Sequence, residues 1–308
     1  MQHPLTGIVP PLVTPLKDRD TLDVAGLERV IEHVLDGGVH GLFLLGTTGE
    51  GPSLSCRLRH ELISTACRQV KQRVPVLVAI TDTSFVESVN LARHSAECGA
   101  DAVVLAPPYH MPEGQSELRE HLGHLLPELP LPLFLYNMPP LTKAAFELET
   151  VRWAMDQPRI LGMKDSSGDL DYFNRALELR PHRPDWTLLV GPDNLLAETV
   201  RLGGHGGVSG GANVFPKLYV ELFAAARRGD QARTRELHAV VMQVTGRLYH
   251  LGPHASSVIK GIKCALSCLG ICGDFMAEPF HRFRAPERKL IESAVAELSE
   301  AIQRALPG

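Results

Sequence analysis

Eight short apolar runs alternate with segments of helical period along most of this chain, and they predict an α/β fold: a (β/α)8 TIM barrel with a C-terminal helical extension. Most of the runs are continuously apolar rather than alternating, as strands covered on both faces must be. The eighth βα pair ends near residue 227, a count that suits a closed barrel of right-handed crossovers better than an open sheet. Beyond it no strand signal remains. Residues 1–228 therefore read as the catalytic barrel and 229–308 as the helical extension.

Strands are expected at 7–13, 39–45, 74–79, 102–105, 133–136, 160–164, 187–190 and 207–208. The first helix, 22–35, opens at Thr21 or Asp23, whose side chains can cap a free N–H, and stops at Gly37-Gly38. Apolar residues recurring at helical spacing place the other crossovers at 53–70, 84–98, 117–126, 147–155, 170–179, 194–202 and 216–226. The extension reads as three amphipathic helices, 230–251, 255–269 and 286–306, with an oligomer contact as one use for them.

With 308 residues, 44% hydrophobic and 21% charged, the chain can bury a large core and needs neither disulfides nor metals for stability. Its 31 basic and 35 acidic residues leave a net charge of −4 and no basic stripe, which argues against nucleic acid or an anionic membrane as partner. The start, Met-Gln-His-Pro-Leu-Thr-Gly, lacks the basic-then-apolar order of an export signal. No run reaches the ~18 unbroken apolar residues of a membrane helix. A cytoplasmic location is the expectation. Cys56, Cys67 and Cys98 sit singly in helical segments, while Cys264, Cys268 and Cys272 recur every fourth residue without CxxC spacing. They read as inert thiols. The 14 histidines form no ligand-spaced cluster, and neither a metal nor an organic cofactor is expected.

Catalytic groups in such a barrel come from the C-terminal ends of strands and the loops after them. Four of these places carry unusual residues. After strand two, Gly46-Thr47-Thr48-Gly49-Glu50-Gly51 sets two hydroxyls beside exposed N–H groups, which suits a carboxylate or phosphate oxygen and equally a tight structural turn. After strand five, Tyr136-Asn137-Met138-Pro139-Pro140 either fixes a phenol over the pocket or half-buries a tyrosine on one hydrogen bond. Strand six ends in Met163-Lys164-Asp165, and a lysine there needs a reason for its burial. One reason is an ion pair with Asp165, although adjacent strand residues face opposite ways. The other is an imine-forming amine, whose pKa burial would draw from about 10.4 toward roughly 7. After strand eight, the glycines of Gly206-Gly207-Val208-Ser209-Gly210-Gly211 let backbone approach a ligand, and a phosphorylated substrate competes there with a bare carboxylate.

In order, GTTGE, YNxP and GMKDSSGD resemble the pyruvate-dependent class I aldolases of the dihydrodipicolinate synthase/N-acetylneuraminate lyase family, from Gly7 to Asn213 and on into the tail. The resemblance implies that Lys164 is the Schiff-base lysine for pyruvate or another 2-oxo acid. It makes Tyr136 the phenol that moves protons to and from the adduct. Thr47 and Thr48 would hold the carboxylate, and Thr47 would link Tyr136 to Tyr109, which in the family reaches across a dimer interface. Thr48, Gly49, Val208, Leu141 and Gly191 fall to substrate binding. The co-substrate would be an aldehyde, no cofactor is needed, and homotetramers built as dimers of dimers are usual. The chemistry is consistent, because an iminium is an electron sink that stabilises the enamine left when the bond at C3 breaks.

Departures from the family narrow the substrate. Leu141 stands where the synthases carry an arginine for the second carboxylate of aspartate semialdehyde, and Lys143 nearby lacks a bidentate fork. Neuraminate lyases show GSTGE and an acidic residue after the seventh strand's GxD, where this chain has GTTGE and Asn194. By elimination the expected reaction is aldol cleavage or condensation of a 2-keto-3-deoxy or 4-hydroxy-2-oxo acid, with dehydration of a 2-keto-3-deoxy acid close behind. The alternatives are 4-hydroxy-tetrahydrodipicolinate synthesis from pyruvate and aspartate semialdehyde, and N-acetylneuraminate cleavage.

Overall fold

Residues 4–306 are described by the computed structural model, and eight strands form one parallel sheet. In barrel order they are Gly7–Ile8, Leu42–Leu44, Val76–Ala79, Ala102–Leu105, Leu133–Asn137, Ile160–Asp165, Thr187–Val190 and Gly206–Gly207. Strands two to eight pair successively, and the eighth pairs with the first. The last seam, between strands one and two, is closed by a parallel bridge from Pro11 to Phe43, with Leu12 N–H on the Phe43 carbonyl at 2.8 Å. That seam explains why the first strand is far shorter than its apolar run. Pro10 and Pro11 have no N–H, so the segment joins the ladder only at intervals.

Every residue of strands two to five and of strand seven is buried. This is the physical source of their unbroken apolar sequence: no side of such a strand meets water. The covering helices begin where their caps do. Asp23, Ser55, Ser84 and Asp169 accept the N–H groups of Gly26, Leu58, Glu87 and Tyr172. The second helix thus runs over Cys56–Val70 and not from residue 53, because Gly51–Ser53 makes a 3-10 turn of its own. Likewise the expected helix over 194–202 divides into a 3-10 turn, Asp193–Leu195, and the helix Leu196–Arg201. Besides the 3-10 turns Arg180–His182 and Gly210–Asn213, the hairpin of Leu16–Asp18 with Thr21–Leu22 and the short helix Pro139–Thr142 have no counterpart in the sequence reading.

The extension comprises the helices Gln231–Leu248, Ser257–Cys268 and Ala285–Ala305. Their buried faces, among them Val241, Ile262 and Leu298, join the same continuous apolar cluster as the barrel. Residues 1–3 and 307–308, at the ends of the two expected segments, lie outside the described residues. Burial pushes the Cys67, Cys264 and Cys272 thiols up to about 12. Among the described residues no group of three His, Cys, Asp or Glu side chains is placed to hold a metal ion, and no helix is long and apolar enough to cross a membrane.

Candidate active site

Strands five and six lie in a register that sets Tyr136 opposite Lys164 and Asn137 opposite Asp165. Alternation along a strand then sends the two pairs to opposite faces. Lys164 is 7% exposed, with its Nζ 4.0 Å from the centroid of the Tyr136 ring and 5.0 Å from that of Phe43. Asp165 faces elsewhere: Asn137 Nδ2 donates to its Oδ1 at 2.8 Å and Ser167 Oγ to its Oδ2 at 2.9 Å. The ion pair that would have explained the lysine's burial is not made. Among the described residues no carboxylate lies within ion-pair distance of Lys164. Its amine instead meets aromatic faces, above a small void walled by Val9, Phe134, Leu189 and Val208.

The Tyr136 hydroxyl stands 3.2 Å from Thr47 Oγ1. Burial alone would raise this phenol. The Lys164 charge and hydrogen bonds with Thr47, Lys164 and Ser166 outweigh it and hold the phenol below the usual tyrosine value. Gly191 makes room for this cluster. A Cβ there would lie 1.9 Å from Ser166 Oγ and 3.3 Å from Lys164 Cε, so glycine is the residue that lets the lysine and the serine approach together.

The loop after strand two is held in an unusual shape. Leu45 and Glu50, at its two ends, have φ of +59° and +56°, in the left-handed region that side chains seldom occupy. Glu50 is anchored from below, its carboxylate accepting Lys263 Nζ at 2.5 Å and the Ala277 N–H at 2.8 Å. Gly49 accepts the Thr14 hydroxyl at 2.7 Å on its carbonyl, and a Cβ there would come within 2.8 Å of the Leu12 carbonyl. So fixed, the loop brings Thr47 to Tyr136 and leaves Thr48 half-buried, with no side-chain hydrogen bond among the described residues.

Above these groups opens a cavity of about 240 Å3 whose wall includes Thr47, Tyr136, Tyr109, Leu141, Thr81 and Arg59. Of the expected site residues, it brings Thr47, Tyr136, Tyr109 and Leu141 together, while Val208 flanks Lys164 in the void beneath and Gly191 lies beside the lysine's stem. Tyr109 makes no hydrogen bond to Thr47 within the chain, and burial and the Asp82 charge push its phenol up. Leu141 is 48% exposed at the mouth, and Lys143 turns its ammonium onto the Pro140 carbonyl at 2.9 Å.

Sequence reasoning passed over Ser166, Lys263 and Arg59, which is paired with Asp82 at 2.8 Å. Ser166 was legible in principle, standing two places beyond Lys164 just past the end of an alternating strand. Lys263 had a weaker signal, a charge at helical spacing from Ile259 and Leu266. Arg59 sits in the first turn of an ordinary amphipathic helix and carried none.

Comparison with known proteins places residues 4–298 under the family model described as the dihydrodipicolinate synthetase family. A solved dihydrodipicolinate synthase from Bacteroides thetaiotaomicron is 55% identical, with a TM-score of 0.94 over 96% of this chain and 100% of that one. A prophage protein of the dihydrodipicolinic acid synthase family from Escherichia coli K12, solved with pyruvate, is 28% identical, with a TM-score of 0.91 over 96% and 99% of the two chains. A probable 2-dehydro-3-deoxy-D-pentonate aldolase, also of E. coli K12, is 32% identical over 268 residues, covering 86% of this chain and 88% of its own.

Proposed function

The chain belongs to the dihydrodipicolinate synthetase family, and from that premise we propose that it is a lyase whose Lys164 forms a Schiff base with pyruvate or another 2-oxo acid, and which cleaves or joins a 2-keto-3-deoxy or 4-hydroxy-2-oxo acid between C3 and C4. The observation that carries this reading is a buried lysine with no carboxylate partner, set in register beside a tyrosine whose phenol is held below its usual value. Lys164 Nζ adds to the keto carbon and water leaves, giving a protonated imine. The Tyr136 phenolate takes the proton from the C4 hydroxyl, the C3–C4 bond breaks, and its electrons pass into the iminium. The aldehyde departs, the enamine is protonated at C3, and water returns the lysine. Thr47 keeps Tyr136 oriented, and the free Thr48 hydroxyl with the loop's N–H groups receives the 2-oxo acid's carboxylate.

Support for the substrate class is the cavity wall itself. Leu141 offers no charge to a second carboxylate, and the one arginine there is already paired with Asp82. Among the relatives one is named a deoxy-pentonate aldolase and another was solved with pyruvate, while the 55% identical structure carries the synthase name. The protein works, on this reading, as a cytoplasmic homotetramer in which Tyr109 meets Thr47 of a second copy. The lack of any Tyr109–Thr47 bond within the chain supports this, as does Met111, 77% exposed two residues further on.

Borohydride reduction in the presence of pyruvate, followed by peptide mass mapping, tests the core of the proposal. A reduced pyruvyl adduct on Lys164, absent from Lys164→Ala, is the expected result. No adduct on the folded protein, or one on another lysine, overturns it. Offering pyruvate with glyceraldehyde and with aspartate semialdehyde tests the substrate class: a higher kcat/KM for the semialdehyde would return the chain to the synthases.

A further inference from the structure

Three residues past strand seven stands a carboxylate that the reaction does not use. Asp193 is 5% exposed and receives four donors: the Gly210 N–H on Oδ1 at 3.1 Å, and on Oδ2 the Gly211 N–H at 3.1 Å and the Tyr219 and Tyr249 hydroxyls at 2.7 Å each. Among the described residues no lysine, arginine or histidine touches it. A buried carboxylate without a counter-cation is costly, and it persists only where its lone pairs are filled. Here the filling is unusually complete, and each donor comes from a segment that has to be held. Gly210 and Gly211 belong to the loop after strand eight, Tyr219 to the last barrel helix and Tyr249 to the end of the extension's first helix.

These attachments converge on Lys164. Val208, two residues before Gly210, is bonded through its N–H to the Val190 carbonyl at 2.7 Å and walls the void beneath the lysine. On the other side, Gly191 is the residue whose missing Cβ admits Ser166 and the lysine stem. Asp193 therefore ties together the two loops that confine the reacting amine. The fit is tight, since a Cβ on Gly211 would fall 2.0 Å from the Tyr219 hydroxyl. Burial and the Asp193 charge hold both phenols well above the usual tyrosine range, so they remain donors.

We infer that Asp193, with Tyr219 and Tyr249, is a positioning residue for the imine chemistry: it sets the Val208–Gly211 loop against Lys164, and through Tyr249 it makes the helical extension part of the active site. The inference rests on the proposed Schiff-base reading. Asp193→Asn keeps the shape but turns an amide N–H2 either toward the Gly210 N–H, which can only donate, or toward the Gly211 N–H and two hydroxyls that would have to turn round to accept. The full-length variant is expected to lose about 10- to 100-fold in kcat, the scale of a small misplacement of reacting groups, while its KM for pyruvate stays within about twofold, because the threonine loop that takes the carboxylate is untouched. Tyr249→Phe, which removes one donor of four, should show the same split in weaker form and serves if Asp193→Asn does not fold. Hydrogen exchange at the Gly210 and Gly211 amides provides a second readout that needs no substrate, and it should quicken in both variants.

The two readings fail separately. Wild-type protein that traps no pyruvate on Lys164 refutes the Schiff-base reading on which the inference rests, and the inference falls with it. Wild-type protein that traps pyruvate, alongside folded variants with unchanged kcat and lowered thermal midpoints, shows Asp193 to be a structural prop and overturns the positioning role alone. A matched rise in KM with kcat intact overturns it too.

Discussion

Replacing Lys263 by methionine isolates a second buried carboxylate, Glu50. Lys263 and Glu50 are 0% and 1% exposed in their side chains, so neither can turn to water when its partner is removed. Methionine is nearly as long as the lysine stem and fills the same space, so the perturbation is electrostatic and not a cavity. What remains is a buried carboxylate holding only the Ala277 N–H at 2.8 Å. Breaking a buried pair from one side costs about 3–5 kcal/mol. Unfolding entropy of about 2.1 cal/mol/K per residue, taken over the whole chain, converts that to a midpoint lower by roughly 5–8 °C.

Urea and thermal unfolding at pH 7 measure this loss, and the double variant Glu50→Gln with Lys263→Met completes a cycle. The glutamine oxygen still accepts the Ala277 N–H and no charge stays buried, so the double variant should recover most of the deficit. Glu50 also ends the loop that carries Thr47 and Thr48, so the single variant should raise the KM for pyruvate. A Lys263→Met protein within about 1 kcal/mol of wild type would refute the reasoning, as would a double variant no more stable than the single one, because the cost then would not lie in an unpaired charge.

Gly191→Ala puts a methyl group 1.9 Å from Ser166 Oγ. It should abolish trapping of pyruvate while costing about 1–3 kcal/mol of stability, read by borohydride labelling beside urea unfolding. Thr47→Val removes one of the hydrogen bonds that lower the Tyr136 phenol, so the acid limb of the kcat profile, on which this base must lose its proton, should move to higher pH as kcat falls; a shift to lower pH would contradict the assigned cause. Leu141→Arg supplies a fork at the cavity mouth and should raise kcat/KM for aspartate semialdehyde relative to glyceraldehyde by about 10- to 100-fold, the worth of one charged hydrogen bond. A chain ending at residue 228 should fail to fold cooperatively, as circular dichroism and urea titration would show.

Local pattern made much of this molecule legible. The runs at 102–105 and 187–190 coincide with strands because burial on both faces leaves no polar position to blur them. Ser84 and Asp169 mark helix starts because capping is decided by a neighbour three residues away. Lys164 and Tyr136 stood out because a polar group at the end of an apolar strand needs a partner, and adjacent strands supplied each with the other. The misses have one physical character. Whether Pro10 and Pro11 sit inside a strand depends on the strand closing the barrel beside them, and Leu16–Asp18 carries too little apolar period to read as a strand. No periodicity says that Lys263 returns to Glu50 across 213 residues, or that Tyr249 returns to Asp193 across 56.

Those two returns bear on where the catalytic unit ends. By element type the chain divides at residue 228, strands and crossovers before, helices alone after, and the barrel's ladder is complete without the extension. By energetics it does not divide there. Removing residues 229–308 would take from Glu50, at the end of the threonine loop, both the Lys263 ammonium and the Ala277 N–H, and from Asp193 one of its four donors. Each loss takes from a barrel loop an attachment that comes from the extension. Both carboxylates belong to loops at the mouth of the barrel and both clamps reach up from the extension. On the proposed reading the extension would act on the chemistry by limiting how far the loops around Lys164 and Thr47 move, although none of its side chains lines the cavity above them.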